Sequence, residues 1–418
     1  MKILIYSLNF SPELTGVGKY SGEMAKWLAE RGHDIRVVTA MPYYPNWKIF
    51  KEYSKKYYIR EKIDNLDVWR SFHYVPRSAS TVKRVLHLIS FAATSIPNLF
   101  AQILWRPKIV FVLEPTFFCA PSALIVAKLS GSKAWLHIQD FELDAVFGLK
   151  KTKALWFKRL FFWIEKLFMN CFDRVSTISV KMLELLKTKG VVEKKIALLP
   201  NWADMRMLEW SKSLKDDTKL SLFNNFRSEW QVSDSEYVLM YSGNMGEKQG
   251  LELIIESARS LVDCENIKFV MCGDGVVREK LIKIAKDLPN VIWLSLQPQV
   301  RLNELLRSAD VHLLPQLANI ADLVLPSKLI GMMASGRPVV ACANEGTELQ
   351  NVVKDCGIVV EPESVELFCN AIKTLINDEV LRIRLGNAGR DYVNRNLNQD
   401  IILSNLEFEI INLTKTST

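Results

Sequence analysis

The chain has 418 residues, of which 49% are hydrophobic, and a formal net charge of +8. This length and composition predict two globular domains of roughly 200 residues each and exclude an intrinsically disordered protein. The seven cysteines are odd in number and scattered without a CxxC pair, which favours reduced, buried thiols in a cytoplasmic protein over a disulfide framework.

The first element that the sequence predicts is a β-strand. The first residues, MKILIYS, carry one basic residue and a very short apolar run, so they predict a first β-strand and not a signal peptide. Further strand-like apolar runs follow in chain order: DIRVVTA, KIVFVLEP, KAWLHIQD, RVSTIS and KIALLP. Helical segments such as YSGEMAKWLAERG and APSALIVAKLSG lie between them. This alternation predicts a mostly parallel sheet that is covered by helices on both faces.

The second half of the chain repeats the scheme. Its strand-like runs are YVLMYSG, IKFVMCG, VIWLSL, VHLLP, PVVACA and GIVVEP, again separated by amphipathic helical segments. Two such sheets predict an α/β protein with two Rossmann-like domains that face a central cleft. We assign residues 1–205 to the first domain, 206–235 to a polar linker region, 236–395 to the second domain, and 396–418 to a helix that returns to the first domain.

Two segments of the first domain mix basic and aromatic residues. Residues 150–168 carry six basic residues and one acidic residue among Trp and Phe, and residues 48–62 combine Lys and Arg with Tyr. This mixture is typical of proteins that bind anionic membranes or nucleic acid. No nucleic-acid-binding motif accompanies it, so we expect no nucleic acid partner. The alternative is an ordinary helix with a solvated face.

A third segment, Val85–Trp105, is apolar and long enough to span a bilayer. It also contains Pro97 and several polar side chains, which are costly in hydrocarbon. We therefore predict a helix that is broken near Pro97 and is either partly buried in the domain or lies in the membrane interface, and we favour attachment to one face of the membrane. With the basic segments, this predicts a cytoplasmic protein attached peripherally to the inner face of the cell membrane.

Two glycines, Gly16 and Gly18, open the helix after the first strand. Their free backbone N–H groups would bind a phosphate or a sugar. Ser21 stands where a dinucleotide fingerprint requires a third glycine, and the second strand does not end in an acidic residue, so NAD binding is not expected. The alternative is a pair of turn glycines.

In the second half, small and polar residues follow two neighbouring strands. Because open α/β sheets bind ligands at the carboxyl ends of their strands, we expect them to form one site. They are Ser242, Gly243, Asn244, Gly246 and Lys248 after the first strand, and Gly273, Asp274 and Gly275 after the second. Taken alone, Asp274 is equally well explained as a helix cap.

A helix after the fourth strand of this half begins at Pro326, Ser327 and Lys328, followed by Leu329. A helix N-terminus already attracts anions, so a lysine there predicts a heavier anion such as a phosphate. In the first half, His137, Asp140 and Glu142 follow a strand in HIQDFELD. A lone His at a strand end is more often structural than catalytic.

Over nearly its whole length, the sequence resembles the retaining glycosyltransferases of the GT-B fold, family-4 type. Among these it is similar to bacterial exopolysaccharide enzymes of colanic-acid-type clusters. The segments that carry the resemblance are SPELTGVGKYSGEMAKWLAERGHDIRVVTA, HIQDFELD, LPNWAD, YSGNMGEKQGLELIIESA, MCGDG, SADVHLLPQ and LPSKLIGMMASGRPVV.

The resemblance implies roles for several residues. His137 would contact the donor sugar or the transition state, and Asp140 would orient or deprotonate the acceptor hydroxyl. The leaving phosphate would itself serve as the base, so that no carboxylate nucleophile is required. Lys328 and the helix N-terminus would stabilise the diphosphate of a UDP- or GDP-sugar, with no cofactor and no metal, because the sequence offers no convincing DxD pair.

The sequence departs from the family pattern at several positions. Many members carry two glutamates eight positions apart, where this chain has Leu323 and Gly331. Asp322 is the candidate to replace the first glutamate in holding a sugar hydroxyl. Asn244 and Gln249 stand where many members have Arg and Lys, so the positive charge would come from Lys328 and Lys248.

We expect a retaining hexosyltransferase that moves a sugar from a nucleotide donor to a polyprenyl-diphosphate-linked saccharide in exopolysaccharide biosynthesis. One alternative is a nucleotide-sugar epimerase of similar fold, which would turn over donor without acceptor. The other is a non-catalytic protein that binds nucleotide sugars or lipids.

Overall fold

The computed structural model describes residues 1–13, 16–76, 81–114, 117–141, 155–204, 225–318 and 325–415. The chain divides into two compact units. The first unit comprises Met1–Asn201 and Ile401–Thr418, and the second comprises Trp202–Asp400.

The first unit contains an eight-stranded sheet in the order β3-β4-β2-β1-β5-β6-β7-β8. Its strands are β1 (Lys2–Ser7), β2 (Asp34–Ala40), β3 (Tyr58–Ile63), β4 (Leu66–Ser71), β5 (Ile109–Glu114), β6 (Lys133–Ile138), β7 (Arg174–Thr177) and β8 (Ile196–Leu198). Its helices are α1 (Gly16–Glu30), α2 (Thr81–Thr94), α3 (Ile96–Phe100), α4 (Ala120–Ser130), α5 (Leu155–Cys171) and α6 (Val180–Thr188). All pairings are parallel except that of β3 with β4.

The second unit contains a six-stranded, fully parallel sheet in the order β11-β10-β9-β12-β13-β14. Its strands are β9 (Tyr237–Ser242), β10 (Ile267–Cys272), β11 (Val291–Leu294), β12 (Val311–Leu314), β13 (Val339–Cys342) and β14 (Gly357–Val360). Its helices are α7 (Asn225–Glu229), α8 (Glu252–Ser260), α9 (Arg278–Ile284), α10 (Gln299–Ser308), α11 (Ser327–Ala334), α12 (Glu348–Val353), α13 (Val365–Asn377) and α14 (Glu379–Asn396).

The strand order of each sheet fixes where a ligand would bind. In the second sheet the order reverses between β9 and β12, and in the first sheet it reverses between β1 and β5. Such a reversal leaves a crevice outside the carboxyl ends of the two strands, where open α/β sheets bind their ligands. The predicted class of two parallel-sheet α/β domains is confirmed, and the predicted strand segments coincide with β1, β2, β5 to β8 and β9 to β14.

The C-terminal helix α15 (Gln399–Lys415) packs with the first unit. Its Glu407 carboxylate lies 2.8 Å from Arg31 Nε and 2.8 Å from His33 Nε2. The predicted linker, residues 206–235, lies mostly outside the described residues. Of its remainder, α7 places Phe226 in the core of the second unit.

The apolar segment near Pro97 is divided between two adjoining helices, and its backbone hydrogen bonds continue through Ser95. Helix α2 ends at Thr94, and α3 begins at Ile96 with Pro97 in its first turn. By length and composition alone, Val82–Ile103 is the one described stretch that is apolar and long enough to cross a membrane. Its most apolar window is 39% buried inside the protein, and core helices of soluble proteins meet the same criterion.

Candidate functional site

The loops that follow β9 and β10 are held together by hydrogen bonds between their backbones. Gly243 N donates to Cys272 O over 3.0 Å, and Met245 N donates to Asp274 O over 2.8 Å. Two glycines make this approach possible. A Cβ atom on Gly273 would lie 1.9 Å from Gly243 O. One on Gly275 would lie 2.4 Å from Met245 O. The sequence-predicted glycines therefore do meet in one place, where they bring two strand ends together.

Lys328 lies next to these loops, although it belongs to the segment after β12, the strand on the other side of β9 from β10. It lies in the first turn of α11, which follows β12 and has Pro326 at its N-cap. Its Nζ donates a hydrogen bond to Tyr241 Oη over 2.9 Å and lies 4.4 Å from the centroid of the Tyr241 ring. The predicted anion-binding lysine thus stands at the carboxyl end of β9, beside Gly243.

Tyr241 was not predicted from the sequence, yet it connects the two halves of this site. Its hydroxyl donates to Asn244 O over 2.6 Å, which leaves the oxygen to accept from Lys328. Burial raises the pKa of Tyr241, so the phenol stays neutral. The phenol therefore fixes both the loop after β9 and the lysine.

The Lys328 side chain is half-buried, and burial of its ammonium group lowers the pKa to about 7. Among the described residues, Tyr241 is the titratable group within hydrogen-bond distance of this ammonium. Within the described residues no carboxylate forms an ion pair with this lysine. A desolvated lysine in that setting is suited to bind an anion, because the anion supplies a counter-charge.

The remaining predicted residues of this unit surround the same loops. Leu329 is fully buried and anchors α11, whereas Ser327, Asn244, Lys248 and Asp274 are exposed. Asp274 Oδ1 accepts from Gly275 N over 2.8 Å, so it closes its own turn, while Val277 is the N-cap residue of α9.

Gln249, which stands at a family lysine position, has a structural explanation. Its Oε1 accepts from Gly246 N over 3.0 Å and closes the turn before Gly250, whose φ is +59°. A lysine cannot accept this bond. Asp322 and Leu323 lie outside the described residues.

In the first unit, α1 begins at Gly16 as predicted, and a buried carboxylate lies beside it. Glu13 is 3% exposed and accepts hydrogen bonds from Tyr43 N, Tyr44 N and Asn9 Nδ2 over 2.8–2.9 Å. Burial is the main cause that raises its pKa. A Cβ atom on Gly18 would lie 2.7 Å from Glu13 Cβ, so that glycine makes room for the glutamate.

His137 is buried at the carboxyl end of β6. Its Nδ1 lies 2.9 Å from Ser176 Oγ, and its Nε2 lies 3.3 Å from Gln139 Nε2. Burial lowers the pKa of this ring to about 3, so it is neutral at physiological pH. Asp140 is exposed three residues further on, and Glu142 lies outside the described residues.

No group of three or more His, Cys, Asp and Glu side chains in the described ranges is placed to hold a metal ion.

Two family models match the chain and together cover most of it. "Glycosyl transferases group 1" matches residues 223–392, and "Glycosyl transferase 4-like domain" matches residues 15–202.

Individual proteins agree with these models. The chain is 40% identical over 411 residues to the "Putative colanic acid biosynthesis glycosyl transferase WcaI" of Escherichia coli K12, covering 96% of this chain and 98% of the relative. It is 22% identical over 281 residues to the Escherichia coli "UDP-Gal:alpha-D-GlcNAc-diphosphoundecaprenol alpha-1,3-galactosyltransferase", covering 65% and 67% of the two chains. Among solved structures, Anabaena Alr3699/HepE in complex with UDP-glucose superposes with a TM-score of 0.68 at 12% identity, covering 99% and 100%.

Proposed function

This chain belongs to the glycosyl transferases of group 1 and has the GT-B fold, and from that membership we propose the reaction that it catalyses. It transfers a sugar from a nucleoside-diphosphate sugar to a lipid-linked saccharide during biosynthesis of a bacterial cell-surface polysaccharide, with retention of anomeric configuration. The anomeric carbon loses its bond to the diphosphate and gains one to the acceptor oxygen. The acceptor proton passes to the leaving phosphate.

The observation that carries this proposal is the place of Lys328. The departing nucleoside diphosphate accumulates negative charge, which the protein must stabilise in the transition state. At the start of α11, the lysine adds its charge to the partial positive charge of the helix N-terminus. Its neighbour Tyr241 holds it against the loop after β9. The lysine and the helix N-terminus supply positive charge from the protein itself, and we propose that no metal or cofactor takes part.

Relatives support the substrate classes. HepE binds UDP-glucose, and one relative is named for a UDP-galactose donor and a diphosphoundecaprenol acceptor. The donor proposed for this chain is accordingly a UDP- or GDP-sugar, bound by the second unit. The acceptor that we propose is a polyprenyl-diphosphate-linked saccharide, in line with the acceptor for which that second relative is named.

The first unit supplies groups suited to hydroxyls more than to phosphates. The Glu13 carboxylate beside Gly18 would repel a phosphate at the start of α1, but it would accept a hydrogen bond from a sugar hydroxyl. Burial lowers the pKa of His137 to about 3, and in our proposal its neutral ring exchanges the Gln139 contact at Nε2 for a hydrogen bond that orients the sugar. Asp140 orients the acceptor hydroxyl.

The reaction is tested by titrating UDP, GDP, UDP-glucose and GDP-mannose into the protein by calorimetry. The donor that binds is then incubated with a polyprenyl-diphosphate-linked acceptor, and the product is analysed by mass spectrometry and NMR. Transfer with retention supports the proposal. Conversion of the donor without acceptor would identify an epimerase, and binding without conversion a non-catalytic protein.

Sugar-nucleotide binding should depend on pH through Lys328. A diphosphate binds the ammonium form of Lys328. In the protein without ligand, the pKa of this side chain is about 7. Affinity is therefore full below about pH 7 and falls about tenfold per pH unit above it, because the competent fraction falls by that factor. Calorimetry between about pH 6 and pH 9 measures this slope. Lys328→Arg, which stays charged throughout, should flatten it. An unchanged wild-type affinity over this range would contradict the assignment.

We also propose that α2 and α3 attach the protein to an anionic membrane. Val82, Leu86, Ile89 and Ile96 recur at helical spacing and are 42–65% exposed, so they form one apolar stripe. Exposed Lys83 and Arg84 flank the stripe. Basic side chains near an anionic surface contribute about 1 kcal/mol each, in addition to the burial of the apolar side chains.

The membrane proposal predicts flotation with vesicles that contain phosphatidylglycerol. The double change Leu86→Gln and Ile89→Gln should reduce the bound fraction at least severalfold, because it removes the centre of the apolar stripe. Val380→Gln is the matched control, since Val380 is 78% exposed in the second unit. If both variants float like the wild type, α2 does not mediate attachment.

A further inference from the structure

A polar cavity lies in the second unit, at the edge of the sheet opposite to Lys328. Its volume is about 380 Å³, and Asp310 and Pro338, which directly precede β12 and β13, contribute to its wall. The guanidinium-bearing residues that line it are Arg307, Arg337, Arg382 and Arg390. Four arginines around one cavity call for an explanation, because like charges repel each other.

Part of the explanation is structural. Arg337 donates to Arg307 O near the end of α10, Arg390 donates to Ser335 O at the end of α11, and Arg382 donates to two carbonyls at the end of α13. Three helix C-termini thus receive arginine donors. Each of these guanidinium groups has five N–H donors, so these bonds leave most of its donors for another acceptor.

The charge of the cavity wall is not balanced by these helix ends. Asp310 is engaged by Arg227 and by Val238 N, which leaves Glu379 as the other acidic residue of the lining. Three helix C-termini contribute about −0.5 each. Against four arginines, a positive surplus between about +1 and +2 remains. The pKa of Arg307 is lowered by burial and by the charges of Arg390 and Arg337, which reflects this repulsion.

The backbone is shaped to hold one of these arginines. Gly336 has a φ of +77°, and a Cβ atom there would lie 1.9 Å from Arg390 Nη2. Any side chain at this position would displace the guanidinium group, so the glycine makes room for it. The ion pairs within the described ranges give Arg337, Arg382 and Arg390 no carboxylate partner.

We propose that this cavity is a binding site for a phosphate-bearing anion, distinct from the donor site. Planar guanidinium groups bind phosphate oxygens in pairs, and several around one cavity match an anion with more than one charge. The volume lies within the range typical of small-molecule sites. The phosphate comes either from a small soluble molecule, such as diphosphate, or from a phospholipid headgroup.

The test uses the full-length Lys328→Ala variant, in which the donor site is weakened, and inorganic diphosphate as the probe. We expect saturable binding by calorimetry with one site and a rise in the unfolding midpoint. A further Arg337→Gln change should weaken the affinity at least tenfold, and Arg337→Lys should have an intermediate effect. Arg384→Gln should leave it unchanged, because Arg384 is exposed on α14 but does not line the cavity.

Each outcome decides the proposal. No binding of diphosphate or of phosphatidylglycerol vesicles to this cavity would overturn it, as would equal effects of Arg337→Gln and Arg384→Gln. Diphosphate binding that depends on Arg337 supports a soluble ligand. If binding to the vesicles alone depends on Arg337, the phosphate belongs to a lipid. Arg307→Gln provides a second variant should Arg337→Gln fail to fold.

Discussion

Replacing Lys328 with alanine should weaken sugar-nucleotide binding and kcat/KM by roughly ten- to a hundredfold. Its ammonium is the one described cation placed against the loop after β9 in a desolvated setting. A hydrogen bond to a charged group is worth about 1.5–3 kcal/mol, which corresponds to that range of ratios. Calorimetry with the sugar nucleotide measures the binding part of the loss. Steady-state transfer kinetics measure the part that appears only in the transition state.

The matched control for this experiment is Lys354→Ala. Lys354 is an exposed lysine at the C-cap of α12, in the same unit, and is not placed in the site. It should bind and turn over sugar nucleotide like the wild type. Unchanged turnover in Lys328→Ala would remove this lysine from the mechanism and place the diphosphate elsewhere. Arginine at the same position should recover part of the binding, because it restores the charge but not the length and shape of the lysine.

Most strands could be predicted because a strand that is buried on both faces has a continuous run of apolar residues in the sequence. Every residue of β12 and β13 is buried, so both appear as continuous apolar runs. The sequence analysis did not predict the hairpin of β3 and β4, because β3 lacks such a continuous apolar run. Exposed and half-buried positions alternate along β3 at the edge of the sheet, and its sequence, YIREKI, resembles the basic surface around it. The residues between the two strands, Asp64 and Asn65, were the available turn signal.

Other contacts in the site join residues that are distant in the sequence, and the order of the strands in the sheet determines which of them meet. Tyr241 and Lys328 are 87 positions apart, and they meet because β9 and β12 are neighbours. The motif around Lys328 could be found in the sequence, but no spacing rule connects it with a tyrosine inside a strand. The buried Glu13 is similar, since its partners Tyr43 and Tyr44 follow a different strand. His137 could be placed at a strand end, whereas its burial depends on the neighbouring strand β7.

Gly273→Ala should disrupt the second unit more than other single glycine changes in the site. The new Cβ atom would lie 1.9 Å from Gly243 O, and backbone cannot swing aside as a flexible side chain can. The φ of +148° adds backbone strain of about 1–3 kcal/mol, and forced overlap in a packed region typically costs about as much again. We expect the free energy of unfolding to fall by roughly 2–6 kcal/mol, and the unfolding midpoint by on the order of 10 °C. The bond from Gly243 N to Cys272 O would open, and sugar-nucleotide binding should be lost with it.

Gly346→Ala separates the two causes of this effect. Gly346 also has a positive φ, +75°, but nothing lies within 4 Å of its Cβ position. It should therefore lose about 1 kcal/mol from strain alone and keep its affinity for sugar nucleotide. Thermal unfolding and calorimetry on both variants distinguish the cases. Equal losses would mean that conformational strain dominates and that the close approach of the two loops contributes little. A larger loss in Gly273→Ala, together with absent binding, would show that contact between the ends of β9 and β10 shapes the donor site.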